Sequence, residues 1–136
     1  MLFRVKMFMD KSDTKKIGKI GEDIACQFLI RKGFRILDRN YRKKYGEIDI
    51  VAEKSGIVRF VEVKTVSREN IESESKEGYR PEEQVHPKKL RKIASTGAVY
   101  VDENNITSDY QIDVIGVLLN TEKRVAKCRL FEGATF

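Results

Sequence analysis

The chain has no tryptophan, two cysteines, two prolines and one histidine in 136 residues. Cys26 and Cys128 stand far apart, with no CxxC and no Cys/His cluster. That argues against a disulfide scaffold and against a zinc site, and predicts reduced thiols in a cytoplasm. No apolar run approaches the roughly 20 residues that a membrane-spanning helix needs. Met1–Asp10 is apolar but broken by Arg4 and Lys6, and lacks a small-residue cleavage site, so it makes a poor signal peptide. The expectation is a soluble, cytoplasmic protein with no membrane partner and no small-molecule cofactor. Acid is also short of base: 27 Lys and Arg against 21 Asp and Glu leave a formal charge of +6. Such an excess favours a polyanionic partner, nucleic acid first and an anionic membrane surface second.

What is present fits one globular domain: 40% hydrophobic and 35% charged residues, in a chain long enough for a true core. Residues 1–13 read as an N-terminal extension, either an extra strand or a loose tail, and 14–136 as the single domain. Ile17, Ile20, Ile24, Ala25, Phe28 and Leu29 recur at helical spacing from Thr14 to Lys32, with Gly33 as the stop. The same projection sets Glu22 at the border of the apolar stripe and Asp23 toward solvent. Strands are predicted at 34–42, 46–52 and 57–66, then a mobile Glu- and Ser-rich loop over 67–83. His86-Pro87 opens a second helix to about Asp102, and strands at 112–119 and 125–131 follow. Helix, three strands, helix, two strands predict an α/β domain, a mixed β-sheet flanked by α-helices.

The segment from Ile57 to Val66 reads as a buried strand, yet it carries Glu62 and Lys64 on one face beside Val58 and Phe60. Charges in such a setting are costly unless they are paired or hold an ion. Upstream, Gly46-Glu47-Ile48-Asp49-Ile50 again places acids in a strand. If Ser55-Gly56 is a two-residue hairpin turn, Lys54 faces Ile57, Asp49 faces Glu62 and Glu47 faces Lys64, all on one face. Carboxylates on rigid strands suit Mg²⁺ (or Mn²⁺) and hence phosphodiester hydrolysis. In this reading Asp49 and Glu62 are metal ligands, with Glu22 supplying a further one. Lys64 stabilises the transition state or orients water, and Glu47 is either a ligand or the ion-pair partner of Lys64. Asp113 reads as a hydrogen-bonded structural acid. Arg42, Lys43, Lys44, Arg68, Lys88 and Lys89 are the candidate nucleic-acid contacts, because basic segments flank the acids in sequence. Tyr41 and Tyr45 are equally suited to base stacking and to packing.

Glu in a helix, Asp in a strand and Glu-X-Lys in the next strand together resemble the PD-(D/E)XK nuclease superfamily, with archaeal-type Holliday-junction resolvases closest in layout. Gly18 with Gly21-Glu22, Ile36-Leu37 with Arg39-Asn40, Gly46-Glu47-Ile48-Asp49, Phe60-Val61-Glu62-Val63-Lys64, Val85 with Lys89 and Asp113-Val114 look more narrowly like the YraN-type family of endonuclease-like proteins. The likeness runs from about Lys15 to Val117. It implies a restriction-endonuclease-like fold and an endonuclease acting on DNA, with branched or repair and recombination intermediates as substrates and a homodimer as the assembly. The superfamily's Pro before Asp is replaced by Glu47-Ile48, and the Arg usual soon after the lysine by Thr65-Val66. The rival reading is a non-catalytic nucleic-acid-binding module on the same fold.

Overall fold

The computed structural model describes residues 2–5, 14–67 and 85–134. In chain order the elements are β1 (Leu2–Arg4), α1 (Thr14–Arg31), β2 (Arg35–Lys43), β3 (Gly46–Lys54), β4 (Ile57–Ser67), α2 (Pro87–Glu103), β5 (Tyr110–Asn120) and β6 (Val125–Phe131). One six-stranded sheet runs in the order β1-β6-β5-β4-β3-β2. β4 and β5 pair in parallel, as a strand–helix–strand crossover through α2 requires, and the other neighbours are antiparallel. This is the mixed sheet flanked by helices expected of a restriction-endonuclease-like α/β domain. Leu2–Arg4 joins it as an edge strand, so this much of the N-terminal extension is the extra strand. The rest of 6–13 and the predicted loop from 68 to 83 lie outside the described residues, and Ser67 belongs to β4.

Each helix covers one face. The apolar stripe of α1 (Ile17, Ile20, Ile24, Ala25, Phe28 and Leu29) packs on Ile50, Ala52, Val61, Ile115 and Val117. The α2 side buries Leu90, Ile93 and Tyr100 on Ile48, Val51, Val58, Phe60 and Val114. α1 stops where Gly33 takes a φ of 91° and the Phe34 N–H returns to the Leu29 carbonyl at 2.9 Å. α2 starts with Pro87 in its first turn and the His86 ring nitrogen Nδ1 accepting the Lys88 N–H, as the sequence order implied.

The β3–β4 hairpin turns on Ser55 and Gly56, both left-handed (φ 55° and 74°), a geometry that matches the twist of the strands it joins. Its ladder runs in the predicted register from Lys54–Ile57 to Ile50–Val61. There it ends, one step short of Asp49 and Glu62.

The candidate active site: a cleft where two strands part

β2 and β3 change face beside this point. Arg39 pairs with Ile50 and Tyr41 with Ile48, yet Arg39 reaches Asp23 on α1 while Tyr41 packs edge-to-face against Tyr100 of α2. Likewise Ile50 lies in the α1 cluster and Ile48 in the α2 cluster. In a regular strand residues two apart share a face. Asn40, between Arg39 and Tyr41, has a φ of 52°, a left-handed conformation that Asn tolerates better than most residues. Asp49 occupies the corresponding place on β3. The two strands twist through this level together, and β3 leaves β4.

The parting frees backbone groups, and Asp49 takes one of them: its Oδ2 accepts the Val63 N–H at 2.8 Å. Glu62, on the same stretch of β4, is hydrogen-bonded to Asp49 and ion-paired to Lys89 of α2, Nζ to Oε2 at 3.6 Å. Its side chain is 12% exposed. Burial, and then the adjoining Asp49, push its carboxyl up to about 9 against the partial relief from Lys89. Glu22 reaches in from α1. Burial raises its pKa first and the charge of Asp49 next, so the two carboxyls sense each other. Glu22 Oε1 is buried with no hydrogen-bond partner. What brings Glu22 here is Gly21: a Cβ at that position would stand 1.8 Å from Thr65 Oγ1, so only glycine lets α1 seat this closely on β4.

The expected single cage is therefore only partly drawn together. Asp49 and Glu62 touch and Glu22 lies within electrostatic reach, but among the described residues no group of three metal-ligating side chains closes. Lys89 holds Glu62 and the Val63 N–H holds Asp49, each separately. Nor do the four strand charges form one regular patch, because the ladder ends at Ile50–Val61.

The other predicted residues divide. Glu47 bonds Arg42 (3.0 Å), so its ion-pair partner is Arg42 and not Lys64. Lys64 is exposed and, among the described residues, forms no ion pair. Lys43 is taken up by Glu103 at 2.7 Å, with the Tyr41 hydroxyl on the same carboxylate, a pin between β2 and the end of α2. Tyr41 also packs edge-to-face against Tyr100. Tyr45 is 53% exposed. Lys44 and Lys88 are exposed, and Arg68 lies outside the described residues. Asp113 is the structural acid expected, fully buried and holding Arg59, the Gln111 amide and the Gly133 N–H. Lys89 is the residue whose importance the sequence understates: charge patterning makes it a phosphate contact, and in the fold it stands against Glu62. Its position three residues after His86 is a readable signal, since the first turn of α2 points back at β4.

Among the described residues no helix is long and apolar enough to cross a membrane. The family described as Uncharacterised protein family UPF0102 matches residues 21–117. A UPF0102 protein of Campylobacter jejuni (strain RM1221) is 42% identical over 111 residues, covering 82% of this chain and 85% of that protein. One from Clostridioides difficile (strain 630) is 44% identical over 114 residues, covering 83% and 93%. One from Sulfurihydrogenibium sp. (strain YO3AOP1) is 42% identical over 110 residues, covering 80% and 87%. Among solved structures, Pyrococcus furiosus SfsA in complex with Ca²⁺ is similar over 91% of this chain and 65% of that one, at 18% identity and a TM-score of 0.34. The matched segment holds Glu22, Asp49, Glu62, Lys64 and Lys89, and with it the chain belongs to the UPF0102 family, the YraN-type family that its motifs resemble.

Proposed function

We propose that the protein is a metal-dependent phosphodiesterase, an endonuclease acting on DNA. The observation that carries this reading is the contact of two largely buried carboxyls, Asp49 and Glu62, just past the point where the β3–β4 ladder ends. Buried like charges in contact are unfavourable on their own, and a hard divalent cation relieves them. The donor set fits Mg²⁺ or Mn²⁺: one or two carboxylates suffice for an ion that keeps several waters, and the unpartnered Glu22 Oε1 supplies a further oxygen nearby. When bound, such an ion lowers the pKa of water and offsets charge at the phosphoryl group. Asp49 and Glu62 hold it and Glu22 supports the site. Lys89, released from Glu62, and exposed Lys64 are the cations available to the phosphate oxygens. Branched or flapped DNA is the preferred substrate class, and a homodimer is the assembly suited to symmetric junctions.

One observation favours the non-catalytic module: Lys89 already stands against Glu62, and among the described residues no three-ligand group forms. Cleavage of linear, flapped and four-way DNA with Mg²⁺ or Mn²⁺ separates the two. The nuclease reading expects metal-dependent cutting that Glu62→Ala and Asp49→Ala abolish. Salt-sensitive binding that ignores both Mg²⁺ and the loss of Glu62, with no cutting, refutes it.

A further inference from the structure

We propose that the trough between the first turns of α1 and the middle of β2 seats the sugar–phosphate backbone of a single DNA strand and delivers it to the carboxylate cleft. The proposal rests on the nucleic-acid reading above and names a path on the α1 side, away from the α2 lysines. The cavity is about 660 Å³. That lies within the roughly 300–1,000 Å³ of sites that enclose small ligands, the scale of one strand rather than a duplex.

Lys15, Gly18, Lys19 and Glu22 form one of its walls. They follow each other at helical i, i+3, i+4, i+7 spacing and so lie on one stripe of α1. At 1.5 Å per residue, Lys15 stands about 10 Å along the axis from Glu22. A backbone resting on the two lysines therefore runs toward the cleft. The opposite wall carries Arg39 and Arg42, held in place by Asp23 (2.7 Å) and Glu47 (3.0 Å). Neither Lys15 nor Lys19 has a carboxylate partner among the described residues. No acid occupies the first turn of α1, so Lys15 sits at the end of the helix where the macrodipole opposes it. A bound polyanion removes that conflict.

Gly18 supplies the independent observation. A Cβ there would meet no atom of the described residues within 4 Å, whereas at Gly21, one turn on, it would collide with Thr65. Glycine weakens a helix interior, and nothing in the packing of the described residues requires it at position 18. It leaves the floor of the trough open for close approach of a ligand backbone. At the inner end Glu22 keeps one carboxyl oxygen buried and unpartnered.

The test is fluorescence anisotropy with a short labelled oligodeoxythymidylate, in EDTA, across a salt series. Lys15→Ala/Lys19→Ala, Gly18→Ala and a distant control, Lys123→Ala, are compared with the unaltered chain, and circular dichroism reports folding. The expected result for the double variant is affinity weakened tenfold or more and a salt slope shallower by about 1.4, two phosphates at about 0.7 each. Gly18→Ala is expected to melt higher, by about 3 °C, and yet to bind several-fold more weakly. A purely structural glycine cannot give that pairing. Wild-type affinity in both variants, an effect no greater than that of Lys123→Ala, no binding of the oligonucleotide by the unaltered chain, or preference for duplex over single strand would each overturn the proposal. The assay needs neither metal nor cleavage. Trough-dependent binding without cutting refutes the nuclease reading alone, and cutting with trough variants of wild-type affinity refutes the trough alone.

Discussion

Glu62→Gln is expected to make the metal-free protein more stable at neutral and alkaline pH. Glu62 is buried against Asp49, and its carboxyl is pushed up to about 9 from 4.5. In the unfolded chain the same group loses its proton near the unperturbed value. Between those two limits the native state therefore holds a proton that the unfolded state has released. Because the folded pKa is the raised one, the contribution to stability is complete below about pH 4.5. It falls as pH rises and levels off above about 9. Each pH unit inside that window costs about 1.4 kcal/mol, so three units above the lower limit the loss is on the order of 4 kcal/mol.

The substituted glutamine has nearly the shape of the protonated acid, its amide donates to Asp49 as the acid proton does, and it does not titrate. Urea unfolding of both proteins in EDTA at pH 5, 7 and 8.5 isolates Glu62 and the groups it touches, since titrations elsewhere are common to the two. The curves should nearly coincide at pH 5, and by pH 8.5 Glu62→Gln should lead by a few kcal/mol. A gap that stays constant with pH, or a variant less stable at pH 8.5, refutes the raised pKa of buried Glu62.

Metal should act through the same proton. Mg²⁺ titrated at pH 7 by calorimetry should release about one proton per ion, seen as a binding enthalpy that varies with the ionisation enthalpy of the buffer; no such variation contradicts the protonated Glu62. Gly21→Ala should cost about 1–3 kcal/mol and lower any metal response together with stability, since its Cβ would lie 1.8 Å from Thr65 Oγ1. A parallel Thr65→Ala change should recover part of both in a double-mutant cycle, and strict additivity would argue against the clash. Arg59→Ala should cost about 3 kcal/mol in chemical denaturation, because it strips the cation from Asp113, which is fully buried. It should also free Glu132 and expose the C-terminal segment to protease, and an unchanged cleavage rate there speaks against that anchoring role.

The periodic parts of the chain are legible because their physics is local. The apolar stripe of α1, the Pro87 start of α2 and the Ser55-Gly56 turn each follow from spacing or backbone preference over a few residues, and the hairpin register follows from the turn. Ile50–Val61 is as far as that logic reaches. Beyond it the sequence still alternates as a strand should. The event that redirects Asp49 is the left-handed Asn40 on the neighbouring strand, which no pattern within β3 or β4 records. Pairings that depend on how two elements lie together escape the sequence for the same reason. Glu47 meets Arg42 across β2–β3, Lys43 meets Glu103 at the end of α2, and Lys89 meets Glu62 from a helix that begins only at Pro87, well past the end of β4 at Ser67.

That failure marks the chemistry. A ladder continued through Asp49 and Glu62 would have spent the Val63 N–H on a backbone carbonyl and set two carboxylates side by side on a flat face open to water. Breaking it turns the Asp49 carboxylate into the hydrogen-bond acceptor and buries Glu62 beside it. Glu22 approaches this pair from one helix and Lys89 from the other. Restoring regular pairing is therefore the sharpest structural test of the cleft. Asn40→Val, which disfavours the left-handed φ of 52°, should drive β2 toward regular extension and drag β3 with it. The expected signature is a fall in the pKa of Glu62 as the cleft opens to solvent, read by carboxyl chemical shift against pH. An unchanged Glu62 titration in a folded Asn40→Val protein would mean that the parting of the strands is set elsewhere, by the seating of α1 through Gly21.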